Sequence, residues 1–217
     1  MKDSWLSGVK KVLLKSELVA LLLLKYRSDS YLHRQGWFTS FRTKMAIDRD
    51  GAPVPWMTYP SISFLDGRIR QDMTVFEYGC GNSTLWWANR VRSVVACEHD
   101  REWFAHVKAL MPANVTLSQR DLGTGGYAHL ISEYHGEFDI IVIDGRERVE
   151  CAKNSLQALK HDGVILWDNS DRDEYQVGFD YLVGNGFKRI DFHGIGPIEW
   201  IGTCTSIFYK GDNCLEI

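Results

Sequence analysis

Two glycines, Gly79 and Gly81, stand between the apolar run Met73 to Tyr78 and three residues of helix-capping type, Asn82, Ser83 and Thr84. The order predicts a buried strand, a tight turn that lets a ligand approach the backbone, and a helix over Leu85 to Val91. Free N–H groups at such a turn attract a carboxylate or phosphate. Two residues qualify that chemistry. Thr84 occupies the place where a dinucleotide-binding turn has its third glycine, and Glu77 would repel a pyrophosphate. Both count against a nicotinamide oxidoreductase, while Glu77 suits a ligand carrying an ammonium group. The next apolar stretch, Ser93 to Glu98, ends in an acid 19 residues after Gly79. A carboxylate there can accept hydrogen bonds from both hydroxyls of a ribose.

With Glu77, Gly79, Gly81 and Glu98 in these places, the sequence resembles the class I S-adenosylmethionine-dependent methyltransferases. The resemblance covers roughly residues 73 to 210. It implies S-adenosylmethionine as cofactor, its amino-acid end near Glu77 and its ribose on Glu98. It also implies that Asp121, with Leu122 beside it, meets the adenine amino group, that His99 lines the adenosine pocket, and that Asp144 and Gly145 reach the cofactor from a further strand end.

The residues that follow each apolar strand carry the remaining chemistry. Asp144, Asp168 and Asn169 offer three oxygen ligands from two strand ends, a set that suits a hard cation such as Mg²⁺. The arrangement is similar to that of catechol O-methyltransferases, in which the metal lowers the pKa of the acceptor hydroxyl. Those enzymes have a catalytic lysine three residues after the first metal Asp, and Glu147 stands in its place here. The alternative is that both acids touch the cofactor or cap the next helix. Arg146 and Arg148 flank Glu147 and suggest an acidic acceptor at the mouth of the site. His193, in Phe192-His-Gly-Ile-Gly-Pro197, is a candidate general base. Cys80, in the glycine turn near a helix start, is a candidate for a lowered thiol pKa.

These residues require an α/β frame. After Glu98 the pattern reads helix Arg101 to Leu110, strand Val115 to Gln119, helix Tyr127 to Tyr134 and strand Phe138 to Ile143, then helix Val149 to Lys160, strand Val164 to Trp167 and helix Glu174 to Gly184. Strands Phe187 to Phe192 and Thr203 to Tyr209 close the chain. The expected fold is a doubly wound, seven-stranded, mostly parallel sheet with helices on both faces. The resemblance implies that the last strand is antiparallel and inserted between the fifth and sixth. Residues 71–217 would form this domain and residues 1–70 a helical and loop-rich extension. That extension holds a helix over Leu6 to Tyr26, a loop-rich aromatic segment and a short helix over Ser61 to Arg70, with Trp56 and Tyr59 as candidates for a wall over the site.

At 217 residues and a formal net charge of -3, the chain lacks the basic excess of a nucleic-acid binder. The five scattered cysteines, without a C-x-x-C pair, read as reduced residues of a cytoplasmic protein. The apolar run Leu18 to Leu24 is too short to span a bilayer. Its helix is expected to cover the main domain, to form a homodimer contact, or to lie on a membrane surface with its lysines at the head groups. The expected function is methylation of a small-molecule or sugar hydroxyl, the alternatives being a non-catalytic nucleoside-binding or interaction protein and an oxidoreductase.

Overall fold

The computed structural model describes residues 16–123 and 126–217, so the part of the expected first helix from Leu6 to Lys15 lies outside the described residues. Helices α1 (Glu17–Tyr26), α2 (Tyr31–Arg34), α3 (Trp37–Thr43) and α4 (Tyr59–Asp66) precede the sheet. Strand and helix then alternate through β1 (Thr74–Tyr78), α5 (Asn82–Ala88), β2 (Ser93–Glu98), α6 (Arg101–Lys108), β3 (Val115–Gln119), α7 (Gly126–His129), β4 (Phe138–Ile143), α8 (Arg148–Ser155), β5 (Leu159–Asp168) and α9 (Gln176–Gly184). The antiparallel pair β6 (Lys188–Gly194) and β7 (Thr203–Tyr209) completes the chain.

The strand order is β3-β2-β1-β4-β5-β7-β6. The first five strands run parallel, and β7 lies antiparallel between β5 and β6, as the sequence led us to expect. The chain winds outward from β1 to β3 and then returns to β4 on the other side of β1, so the loops after β1 and β4 part from one another at the carboxyl edge. Such a switch point is where sheets of this type bind ligands.

Alternation along the strands splits the core between the two faces. Phe76, Tyr78, Ile141, Ile143, Ile165, Trp167 and Phe208 pack against Tyr127, Cys151 and Phe179. Val75, Ile140, Val142, Val164, Leu166 and Ile207 pack against Tyr59, Leu65, Trp86 and Trp87 on the opposite face. Both faces of β4 are covered, which explains its six consecutive buried residues.

Several boundaries differ from expectation for identifiable reasons. The expected helix Val149 to Lys160 gives way at Leu156, because β5 begins at Leu159 and pairs with Phe138 across an irregularity in the ladder. Gly163 makes room for that early segment, since a Cβ there would lie 2.6 Å from Leu159 Cδ1. Asn82, Ser83 and Thr84 are the first turn of α5 rather than its cap, which falls on Gly81. The stretch Tyr127 to Tyr134 is a short helix followed by a 3₁₀ turn over Leu130–Glu133. Helix α4 starts at Tyr59 with Pro60 in its first turn, and Tyr59 itself is core rather than wall. Helix α1 has no buried residue and leaves Leu18, Leu21, Leu22 and Leu24 exposed, so it does not cover the main domain. Among the described residues no helix is long and apolar enough to cross a membrane.

One contact tests the packing of α9 on the sheet. A Cβ on Gly178 would lie 2.4 Å from Cη2 of the fully buried Trp167. Gly178→Ala should therefore destabilise the fold by about 1–3 kcal/mol through overpacking, despite the better helix propensity of alanine. Urea denaturation measures it, and unchanged or increased stability would contradict the placement of α9.

Candidate functional site

The carboxyl ends of the central strands carry a row of acids. Val75 and Glu77, Ala96 and Glu98, Val142 and Asp144, and Leu166 and Asp168 lie two residues apart on their strands, so each acid points to the face of the apolar residue before it. The register puts Glu98, Asp144 and Asp168 level with Gly79, and Glu77 one pleat below. A cavity of about 940 Å³ opens above the row, lined by Glu77, Gly79, Gly81, Glu98, Asp144 and Arg146 among others.

The glycine turn fits because β1 and β4 crowd it. Gly79 has φ +96° and donates its N–H to Cys97 O at 2.8 Å. Asp144 N donates to Tyr78 O at 3.3 Å, which holds the two loops together. Gly145 has no room for a side chain, since a Cβ would fall on the hydroxyl of Tyr127. The indole of Trp103 on α6 covers the turn from outside and donates to Cys80 O at 2.8 Å.

Glu77 is buried, with one carboxyl oxygen accepting from Thr84 Oγ1, which in turn accepts from Gly81 N at 3.0 Å. Thr84 thus serves the acid rather than any ligand. The other oxygen, Oε1, is buried without a partner among the described residues. Burial pushes this carboxyl up to about 7 against the hydroxyls of Ser83 and Thr84, which draw it down, and the Glu98 charge adds to the rise. The Glu77 side chain lines the cavity wall, where an ammonium ligand would favour its charged form.

Glu98 is held on one side by the chain itself. Its Oε1 accepts from His99 N at 2.7 Å and Asp100 N at 2.8 Å, while Oε2 lies 3.5 Å from Cys80 Sγ. His99 lines the cavity, with Nδ1 2.8 Å from Glu98 Oε1. Asn82 Nδ2 donates to Ala46 O at 2.7 Å and so pins the segment Lys44 to Ala46 beside Ser83 and Gly81 as a further wall.

At the other end of the row, Arg148 occupies the gap between β4 and β5. Its Nη2 donates to Asp144 Oδ1 at 3.1 Å, its Nε to Gly145 O at 2.9 Å, and its Nη1 to Asp168 O. The guanidinium is buried and is not at the mouth, where the sequence reading put it; Arg146 is exposed and does stand there. Asp144 is pushed up by burial and by the Asp168 charge, and drawn down by Arg148. Burial likewise raises Asp168, to about 6, against the hydrogen bond from Thr205 Oγ1 at 2.6 Å.

This arrangement does not fit the expected Mg²⁺ site. Asp144 Oδ1 serves Arg148, Asp168 Oδ1 serves Thr205, and Asn169 Oδ1 accepts from Arg172 Nη2 at 3.1 Å. The three residues also part company. Asp144 lines the large cavity, whereas Asp168 and Asn169 line a neighbouring one of about 270 Å³. A guanidinium already sits between the two strand ends, where the cation was expected.

Other expected site residues stand elsewhere. Asp121 is outside the cavity lining and pairs with Arg101 at 2.7 Å on the surface. Leu122 is exposed beside it. His193 is exposed and on the far face of the sheet, because its strand neighbours Ile190 and Phe192 face the carboxylate side. The Cys80 thiol is raised rather than lowered, by burial and then by Glu98 and Glu77. Residues missed in the sequence are Trp103, Tyr175 and the buried role of Arg148. The one available signal was Asp100, the N-cap of α6, which places Trp103 in the first turn beside the glycine loop.

Residues 76–170 match a family described as a methyltransferase domain. Solved structures share the fold at low identity. A precorrin-6y C5,15-methyltransferase from Geobacter metallireducens superposes with TM-score 0.58 and 16% identity, covering 77% of this chain and 98% of that one. An rRNA methylase from Streptococcus thermophilus gives 0.53 and 15%, with 70% and 96% covered. A methyltransferase-like protein from Silicibacter pomeroyi gives 0.51 and 21%, with 73% and 89% covered. No curated protein matches the sequence. The chain thus shares the fold of these methyltransferase structures, and its residues 76–170 are similar to the methyltransferase-domain family.

The raised Glu77 gives a pH signature. Between its ordinary 4.5 and about 7, the folded chain holds a proton that the unfolded chain has released, so the stability of the ligand-free protein falls as pH rises through that window. Below it both states are protonated and nothing is lost. Glu77→Gln should remove the fall, leaving the variant up to roughly 3 kcal/mol more stable than the parent at pH 8 and level with it at pH 4. Parallel denaturation curves with the same pH dependence for both proteins would show that Glu77 is ionised in the folded state.

Proposed function

We propose that the chain transfers the methyl group of S-adenosylmethionine to a small-molecule or sugar hydroxyl without a metal, using Asp144 as the proton acceptor. The observation that carries the reading is that Glu77, Glu98 and Asp144 of the acid row line one cavity together with the glycine turn. The cofactor's ammonium would complete Glu77, and Glu98 Oε2 would accept from its ribose. When bound, the cofactor supplies a methyl group on a positively charged sulfur.

The chain's own part is to hold the acceptor and take its proton. During methyl transfer the proton of the acceptor hydroxyl would pass to Asp144. Burial and the neighbouring Asp168 keep that carboxylate basic, and Arg148 fixes its orientation. Arg146, Arg172 and Tyr175 line the side of the cavity next to Asp144 and favour an acceptor carrying negative charge. A cavity of this size suits a small molecule. The net charge of -3 does not favour a polyanion. His193 has no part in this reading.

Calorimetry with S-adenosylhomocysteine tests the cofactor half. Glu98→Ala should weaken binding by roughly 1.5 to 3 kcal/mol, the value of a hydrogen bond to a charged group. Unchanged affinity, or tight binding of a nicotinamide cofactor in its place, would reject the assignment.

Release of S-adenosylhomocysteine over a panel of phenols and sugars tests the chemistry. With an active acceptor, Asp144→Asn should lower kcat by about 10² to 10⁴ while leaving cofactor affinity within a few-fold, and added Mg²⁺ should change neither protein's rate. A variant with full activity would remove Asp144 as base. Dependence of the parent on Mg²⁺ would restore the metal.

A further inference from the structure

The β6–β7 hairpin presents a second set of chemically active side chains, on the face of the sheet opposite the carboxylate row. Asp191 and His193 lie two residues apart on β6, and Cys204 pairs directly with His193 across the ladder. Alternation therefore turns all three to one face. Their ligand atoms lie within 4.8 Å of one another, and Cys204 Sγ is 3.9 Å from His193 Nε2. Among the described residues this is the one such trio of His, Cys, Asp or Glu.

We propose that Asp191, His193 and Cys204 bind a zinc ion. Bonds of about 2.3 Å to sulfur and 2.0–2.1 Å to nitrogen at the tetrahedral angle separate the two ligand atoms by about 3.6 Å, so the observed gap closes with a shift of a few tenths of an ångström. A thiolate and an imidazole select zinc over Mg²⁺ or Ca²⁺. The carboxylate is already oriented, because Asp191 Oδ1 accepts from Ser206 Oγ and Arg189 Nε at 2.5 Å each. Among the described residues nothing donates to its Oδ2, which is the oxygen offered to the metal. Donors behind a ligand in this way fix its geometry. Zinc displaces the Cys204 thiol proton to solvent, and water completes the fourth position. One thiolate and one carboxylate balance the charge of the ion. The ion would pin the last two strands together at the sheet edge, since β6 has no neighbour on its other side. The site is separate from the cofactor cavity, whose lining includes none of the three residues.

The test uses the full, untagged chain, stripped with chelator and titrated with Zn²⁺ or Co²⁺. Expected are one equivalent of zinc by elemental analysis after dialysis, and a cobalt form whose absorption includes thiolate-to-cobalt charge transfer that zinc abolishes. Cys204→Ser should lose that charge-transfer band. His193→Gln should keep it but weaken binding by on the order of 100-fold or more, beyond the cost typical of outer-shell changes. Absence of stoichiometric zinc in the folded parent would overturn the site. So would zinc retained at parental affinity by both variants, which would place the metal on other cysteines.

Discussion

A row of carboxylates at the end of a parallel sheet is costly, and a single buried guanidinium makes this one tenable. Arg148 binds the carboxylate of Asp144 and the carbonyls of Gly145 and Asp168, so one side chain neutralises charge and ties the ends of β4 and β5. Its position follows from the residue before it. Glu147 is the N-cap of α8 with φ +49°, a left-handed kink that starts the helix at Arg148 beside the strand ends. The Glu147 carboxylate in turn accepts from Gly123 N at 2.8 Å, which anchors the loop after β3. Removing a partner from such a buried pair would leave an uncompensated charge, which is worse than never having had the pair.

Glu77 lies under the same constraint without its own cation. Thr84 satisfies one oxygen, and the other is buried and bare. Its raised pKa reflects the cost of burying a carboxylate without a cation. A ligand that brings an ammonium group would reverse that preference by making the ionised carboxyl the stable form.

What the sequence made legible is what depends on local order. The turn Glu77 to Gly81 and the acids ending β2, β4 and β5 are all set by strand-end position and period-two alternation, and they stand where that pattern put them. The strand order follows from the alternation of strand and helix plus the resemblance. The metal reading failed for a non-local reason. Asp144, Asp168 and Asn169 have the right types, but nothing in their spacing reveals that Arg148, four residues after Asp144, folds back between them. The pairing of Asp121 with Arg101 was equally hidden, since it joins the loop after β3 to the start of α6. Period two also settles His193, whose neighbours Ile190 and Phe192 are apolar and therefore take the core face, sending the histidine to the other side.

The least legible part is the wall on the side of β5 and β7. Trp56 borders both cavities, and its Nε1 donates to Glu199 Oε1 at 3.2 Å. Trp37 Nε1 donates to Glu199 O at 2.6 Å, Tyr59 N to Ile195 O at 2.9 Å, and Thr58 Oγ1 to Phe192 O at 3.0 Å. The segment before β1 is thus laced to β6 and the β6–β7 loop across more than 130 residues of sequence. The seam joins short helices and irregular chain before β1 to the end of β6 and the loop after it, and such long-range contacts leave no local pattern in the sequence. On the proposed reading this seam shapes the acceptor pocket while the sheet holds the cofactor, which explains why the cofactor can be inferred from a few strand-end residues and the acceptor cannot.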